Sequence, residues 1–246
     1  MNMERGSIRY PRRRILRWLL RAALFPVFAV LTELRVYGRD KLPEGGPLLV
    51  AVNHFSFIDP AVIVRVVPWP LEVLGATNPP HAPVWGKWLL ELWGNLSVQR
   101  GTAARAALRE GISVLSQGGV VGIAPEGMAG AEMLRPARPG AAYLAVKSSA
   151  RVLPIGIDGA SEVIPSLRRG RRPRLTVRIG EPIGPFQVSG KGRILREQLD
   201  EIGHEMMRKI AALLPPERRG YYSDDPKIRA MALGAIDYIW DTTPEG

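Results

Sequence analysis

Gly45-Gly46-Pro47-Leu48-Leu49-Val50-Ala51-Val52-Asn53-His54-Phe55-Ser56-Phe57-Ile58-Asp59-Pro60 runs from a turn, through five consecutive apolar residues, into a short loop that ends on an Asp-Pro pair. Gly-Gly-Pro breaks any helix, and an unbroken apolar run of five suits a strand covered on both faces. Asp59-Pro60 has the form of a helix N-cap followed by the first helical residue, where proline's missing N–H does no harm. Strand, loop and helix in succession are the repeating unit of layered α/β domains.

The same alternation continues outward. Strands are expected at 71–75, 120–124, 152–157 and 175–179, the last nearer the sheet edge because it alternates. Helices are expected from Pro60, from Thr102 to Ser116 with Gly118-Gly119 ending it, over 140–149, and over 193–214. The last of these carries Leu195, Leu199, Ile202, Met206, Ile210 and Leu213 on one face. Asp225-Pro226 opens a final helical stretch with Ile228, Ala232, Ile236, Ile239 and Trp240, while residues 77–83, rich in proline, read as loop. The expected fold is one α/β layered domain with a mainly parallel central sheet flanked by helices, over 35–215. A basic amphipathic membrane-associating segment (1–34) precedes it, and a helical tail (216–246) follows.

The 246 residues are 46% hydrophobic, enough for a large core, and contain no cysteine. Disulfides, thiolate nucleophiles and cysteine-bound zinc are thereby excluded, and a reducing compartment fits. The net charge of +11 is concentrated in two places. Residues 1–21 carry seven arginines and one acid, and residues 166–178 carry six arginines and no acid. The remaining 212 residues are close to neutral. Two arginine patches on a neutral body attract an anionic surface.

Next to the first patch, residues 22–32 are uncharged, too short a run for the ~20 apolar residues of a spanning helix, and Pro26 should kink it. An interfacial helix fits better, with arginines at the headgroups and Trp18, Leu19, Phe25 and Phe28 dipping inward. No small-residue cleavage site follows Leu31, which argues against a secretory signal. Membrane lipids are the expected partner. Nucleic acid is not, since no recognition motif accompanies the arginines.

Chemistry-bearing residues gather at strand ends. His54 follows the first buried strand, where α/β sheets place ligand-binding groups. His54 and Asp59 are five residues apart, ~140° on a continuous helix, so they meet only if the loop folds back. The carboxylate would then orient one ring nitrogen and leave the other facing the cleft as a base. Ala124-Pro125-Glu126-Gly127 follows another apolar strand, and Val98-Gln99-Arg100-Gly101 precedes a helix, where Arg100 offers a fork for phosphate or carboxylate. Ser56, two residues after His54, suits loop capping better than covalent catalysis. His81 and His204 lack ligand-spaced neighbours, so no metal is expected.

In order, the chain reads Asn53-His54-x-Ser56-x-x-Asp59, Gly94 to Arg100-Gly101, Pro125-Glu126-Gly127, Arg138-Pro-Gly-Ala-Ala-Tyr-Leu-Ala145, and Val152-Leu153-Pro154-Ile155. Over roughly residues 30–185 this resembles the glycerolipid acyltransferase family, whose members acylate 1-acylglycerol-3-phosphate and related lipids. The resemblance implies His54 as general base with Asp59 as its partner. It also implies substrate binding by Asn53, Ser56, Arg100, Glu126, Gly127 and Pro154, with Arg100 and Glu126 at the glycerol-phosphate end. It implies acyl-CoA or acyl carrier protein as the acyl donor and no further cofactor. It places the protein at the cytoplasmic face of the cell membrane, peripheral or monotopic.

One stretch departs from the pattern. The family's usual Glu-Gly-Thr-Arg-Ser is Glu126-Gly127-Met128-Ala129-Gly130 here, and its nearby lysine is replaced within Ala76-Thr77-Asn78. Each lost charged hydrogen bond removes ~1.5–3 kcal/mol from a phosphate site, although Arg135 and Arg138 are close in sequence. An acceptor less charged than lysophosphatidate follows, or else an inactive lipid-binding protein that keeps the fold.

Overall fold

A computed structural model describes residues 8–75, 83–97, 102–127 and 130–234. In chain order the elements are α1 (Arg14–Leu31), β1 (Glu33–Tyr37), β2 (Leu48–Val52), α2 (Asp59–Val66), β3 (Leu71–Gly75), α3 (Val84–Trp93), β4 (Leu96–Ser97) and α4 (Thr102–Ser116). They continue with β5 (Val120–Ile123), α5 (Pro139–Ser148), β6 (Arg151–Asp158), α6 (Val163–Arg168), β7 (Arg174–Ile179), α7 (Arg193–Ala211) and α8 (Pro226–Gly234). Seven strands form a sheet in the order β1-β7-β6-β2-β5-β3-β4, parallel except for the β6–β7 pair. The fold is therefore the mainly parallel α/β layer that the sequence implied.

β2 lies at the centre and is buried on both faces, as its apolar run requires. Successive residues point to opposite sides. Leu49 and Ala51 join Val121, Ile123 and Val152 under α4, α5 and α7. Leu48 and Val50 join Val120, Leu153 and Ile155 under α1 and α2. The apolar stripe of α7 packs into the first of these cores through Leu199, Ile202, Met206 and Ile210.

β7 lies near the sheet edge, as its alternation implied, with β1 alone outside it in parallel register from Glu33↔Arg174 to Tyr37↔Arg178. Other expectations are corrected. β1, β4, α3 and α6 were not anticipated. Helix α1 runs unbroken through Pro26. Asp59 is not an N-cap: α2 starts at Asp59 itself, and the preceding Ile58 makes no side-chain cap. Ile236, Ile239 and Trp240 lie outside the described residues.

The largest difference concerns the arginines next to α1. Arg17 is 3% exposed and donates to both oxygens of the fully buried Glu72 in β3, while Arg12 adds a bond of 2.6 Å to Glu72 Oε2. Arg13 donates to the carbonyls of Glu91 and Leu92 at the end of α3, and Arg21 to that of Pro68. Arg17 is thus sealed inside the molecule and Arg12 half-buried beside it, while Arg13 and Arg21 are tied to main-chain carbonyls nearer the surface. Phe28 is buried in the core, whereas Trp18, Leu19 and Phe25 are exposed, so one of the four expected membrane-facing side chains is a core residue. No described helix is long and apolar enough to cross a membrane.

Candidate active site

At the C-terminal end of β2 the chain is held on both sides before it releases His54. Asn53 is fully buried, and its side chain bonds the main chain of Ile157 in β6 twice, donating from Nδ2 to the carbonyl (2.8 Å) and accepting from the N–H (2.7 Å). It is a strut between strands, and its amide is not available to a substrate. One residue on, the His54 N–H donates to Glu126 Oε1 at 3.1 Å.

The loop then folds back on itself. Asp59 Oδ2 accepts the Ser56 N–H at 2.7 Å, the Asp59 N–H donates to the Ser56 carbonyl at 3.1 Å, and Ser56 Oγ accepts from the Ile58 N–H at 3.3 Å. Ser56 is thus a loop cap and is nearly buried. This turn brings His54 Nδ1 to 3.1 Å from Asp59 Oδ2. A carboxylate only accepts, so Nδ1 carries the proton and Nε2 keeps its lone pair. Asp59 is 1% exposed, and the His54 side chain retains 24% exposure. The pair is a sheltered carboxylate beneath an imidazole that an alcohol can reach.

Glu126, which the resemblance places near the acceptor's glycerol-phosphate end, is 1% exposed, with Oε1 on the His54 amide and Oε2 on the Arg135 amide at 2.9 Å. Burial pushes its pKa up to about 7 against the opposing pull of those two amides. It anchors the loop from below. The turn above it needs Gly127, whose φ of 72° is left-handed, and the Arg138 side chain lies over that glycine. Among the described residues, Pro154 lines neither the apolar groove beside the His54 loop nor the cavity at the other end of β2. It is buried within β6, packed against Gly180, at the point where pairing passes from β7 to the Val152–Ile183 bridge. Arg100, His81 and Ala129 lie outside the described residues.

Phe57 and Ile58, from the same loop as His54, form part of the wall of an apolar groove of about 320 Å³. Helices α1, α2, α3 and α6 supply the rest, among them Leu24, Phe28, Leu90, Trp93 and Leu167. A second cavity of about 320 Å³ opens at the other end of β2, lined by Gly45, Gly46, Ser149 and Arg151, away from the imidazole. The groove was not legible beforehand, because two of its walls are the unanticipated α3 and α6.

A family model described as acyltransferase matches residues 33–158, just over half of the chain, from β1 to the end of β6. The chain belongs to the acyltransferase family. The match contains the His54–Asp59 loop and the Glu126 turn. A 1-acyl-sn-glycerol-3-phosphate acyltransferase of Bacillus subtilis (strain 168) is 23% identical over 162 residues, 65% of this acyltransferase and 79% of the relative. The fold is similar to the crystal structure of the 1-acyl-sn-glycerophosphate (LPA) acyltransferase PlsC from Thermotoga maritima. That match has a TM-score of 0.56 and 22% identity, and covers 82% of this chain and 83% of the other.

Proposed function

We propose that this acyltransferase moves a fatty acyl group from acyl-CoA or acyl carrier protein to a hydroxyl of a lysophospholipid or related glycerolipid, at a membrane surface, with His54 as general base. The observation that carries the reading is the Nδ1–Oδ2 contact of His54 and Asp59, next to an apolar groove that shares their loop. His54 Nε2 takes the proton of the acceptor hydroxyl as its oxygen attacks the thioester carbonyl. Asp59 fixes the tautomer and stabilises the imidazolium. As the tetrahedral intermediate collapses, the C–S bond breaks and the thiolate leaves, a step that requires little acid assistance. The proton on Nε2 then passes to the departing thiolate or to solvent. The acyl chain lies in the groove between α1, α2, α3 and α6.

The acceptor is less charged than lysophosphatidate. Met128-Ala129-Gly130 stands where phosphate-handling relatives have Thr-Arg-Ser, and Asn53, Glu126 and Pro154 support the backbone and leave the cleft to other groups. The test is acyl transfer from labelled acyl-CoA to monoacylglycerol and to lysophosphatidate, for wild type and His54→Ala. Equal product from both proteins would end the base assignment. Preferred turnover of lysophosphatidate would end the acceptor assignment and leave the base intact.

A further inference from the structure

The second arginine patch, residues 166–178, has no role in the chemistry above. Its position in the fold gives it one. Arg172 donates to the carbonyls of Ala29 and Thr32, both at 2.8 Å, and so docks the turn after α6 onto the C-terminal end of α1. Ile164 and Leu167 of α6 line the apolar groove together with Val27 and Leu31 of α1. The arginines that end α6 therefore stand at the rim of an apolar opening.

The two ends of α1 differ in what their cations do. Near its start, Arg17 and Arg12 are held on the buried Glu72, while Arg13 and Arg21 donate to main-chain carbonyls. At its end, Arg168, Arg169, Arg171 and Arg172 are exposed. The side chains of Arg168 and Arg171 make no ion pair among the described residues, and Arg169 meets only the exposed Glu162, at 3.6 Å. Between the two ends, α1 presents Trp18 (67% exposed), Phe25 (50%) and Val30 (67%), with no charge from Ala22 to Leu31. Trp88 of α3, 62% exposed, adds a further aromatic ring.

We infer that the turn Arg168–Arg172 is a binding site for anionic lipid headgroups and sets the acidic-lipid preference of the face formed by α1. The inference rests on the membrane-surface reading of the preceding subsection. Charge complementarity identifies the occupant: cations bordering a continuous apolar strip match phosphates above acyl chains. A nucleic-acid duplex would leave that apolar strip in water. This headgroup contact lies at the opposite end of the helix from Arg12 and Arg17, which Glu72 holds.

The experiment is co-sedimentation of the full chain with vesicles of phosphatidylcholine alone and of phosphatidylcholine mixed with phosphatidylglycerol. Wild type is expected to partition into the mixed vesicles, and more weakly as salt rises. Arg168→Ala/Arg171→Ala should weaken that partition by roughly fivefold for each arginine removed and flatten its salt dependence. Arg168→Lys/Arg171→Lys should restore it. Transfer to an acceptor dispersed in detergent should stay at the wild-type rate. Alanine variants that bind mixed vesicles as wild type does would overturn the inference while leaving the membrane reading in place. A wild type that ignores both kinds of vesicle would overturn the membrane reading itself. Displacement of wild type from mixed vesicles by duplex DNA, lost in the alanine variant, would assign the turn to nucleic acid and overturn the inference as well.

Discussion

Two glutamates are sealed inside this acyltransferase on neighbouring strands, and they behave in opposite ways. Glu72 in β3 faces the guanidiniums of Arg12 and Arg17. Glu126, just past β5, accepts from the main-chain amides of His54 and Arg135. Burial alone would raise both. For Glu72 the two arginines outweigh burial and hold the carboxyl below its ordinary 4.5, whereas for Glu126 the amides do not, and it rises to about 7. An ion pair suits the task of fastening a distant helix to the sheet. Amide dipoles suit the task of fixing the loop that carries His54.

The largest test of this contrast is Glu72→Ala, which leaves Arg17 buried without its partner. A loss of about 3–5 kcal/mol is expected, read by denaturant unfolding. A change within experimental error would mean that α1 is not fastened there. The pH dependence of stability separates the pair next. Glu126 has a raised pKa, so its contribution is fully present below pH 4.5 and is lost as pH climbs through 7, about 3 kcal/mol over that window. Glu126→Gln should flatten that stretch of the profile, and should lower kcat through a displaced His54 while KM for the acyl donor holds. Glu72 has the opposite sign: its contribution is present above pH 4.5 and fades as pH falls through its depressed pKa, and Glu72→Gln should erase that acid limb.

Smaller effects sharpen the comparison. Arg12, partly exposed, shares Glu72 with Arg17, so Arg12→Ala should lower unfolding free energy by about 1–2 kcal/mol. Arg172→Ala removes an exposed contact at the far end of α1, and a shift below about 1 kcal/mol is expected by the same measurement.

The parts of the molecule legible in sequence are those whose causes are local. β2 matches the expected range because buried parallel strands have continuous apolar runs bounded by turns. The convergence of His54 and Asp59 was readable because a five-residue spacing cannot share a helical face. The hidden parts depend on distant partners. Nothing local in Leu71-Glu72-Val73 marks its glutamate for burial, which depends on Arg17, 55 residues earlier, and on Arg12. Arg12, Arg13, Arg17 and Arg21 read alike as a string, yet a buried carboxylate takes two of them and main-chain carbonyls the other two. β1 escaped notice because Glu33, Arg35 and Tyr37 stay exposed and dilute its apolar signal.

The strut from Asn53 to Ile157 has one further consequence. The residue immediately before His54 is bolted to a central strand, while the walls of the apolar groove belong mainly to helices outside the sheet. In the reaction we propose, chain-length preference and bond-making chemistry therefore have separate foundations. Substitutions along α1 or α3 would then reshape which acyl tails fit without moving the imidazole proposed to act on them.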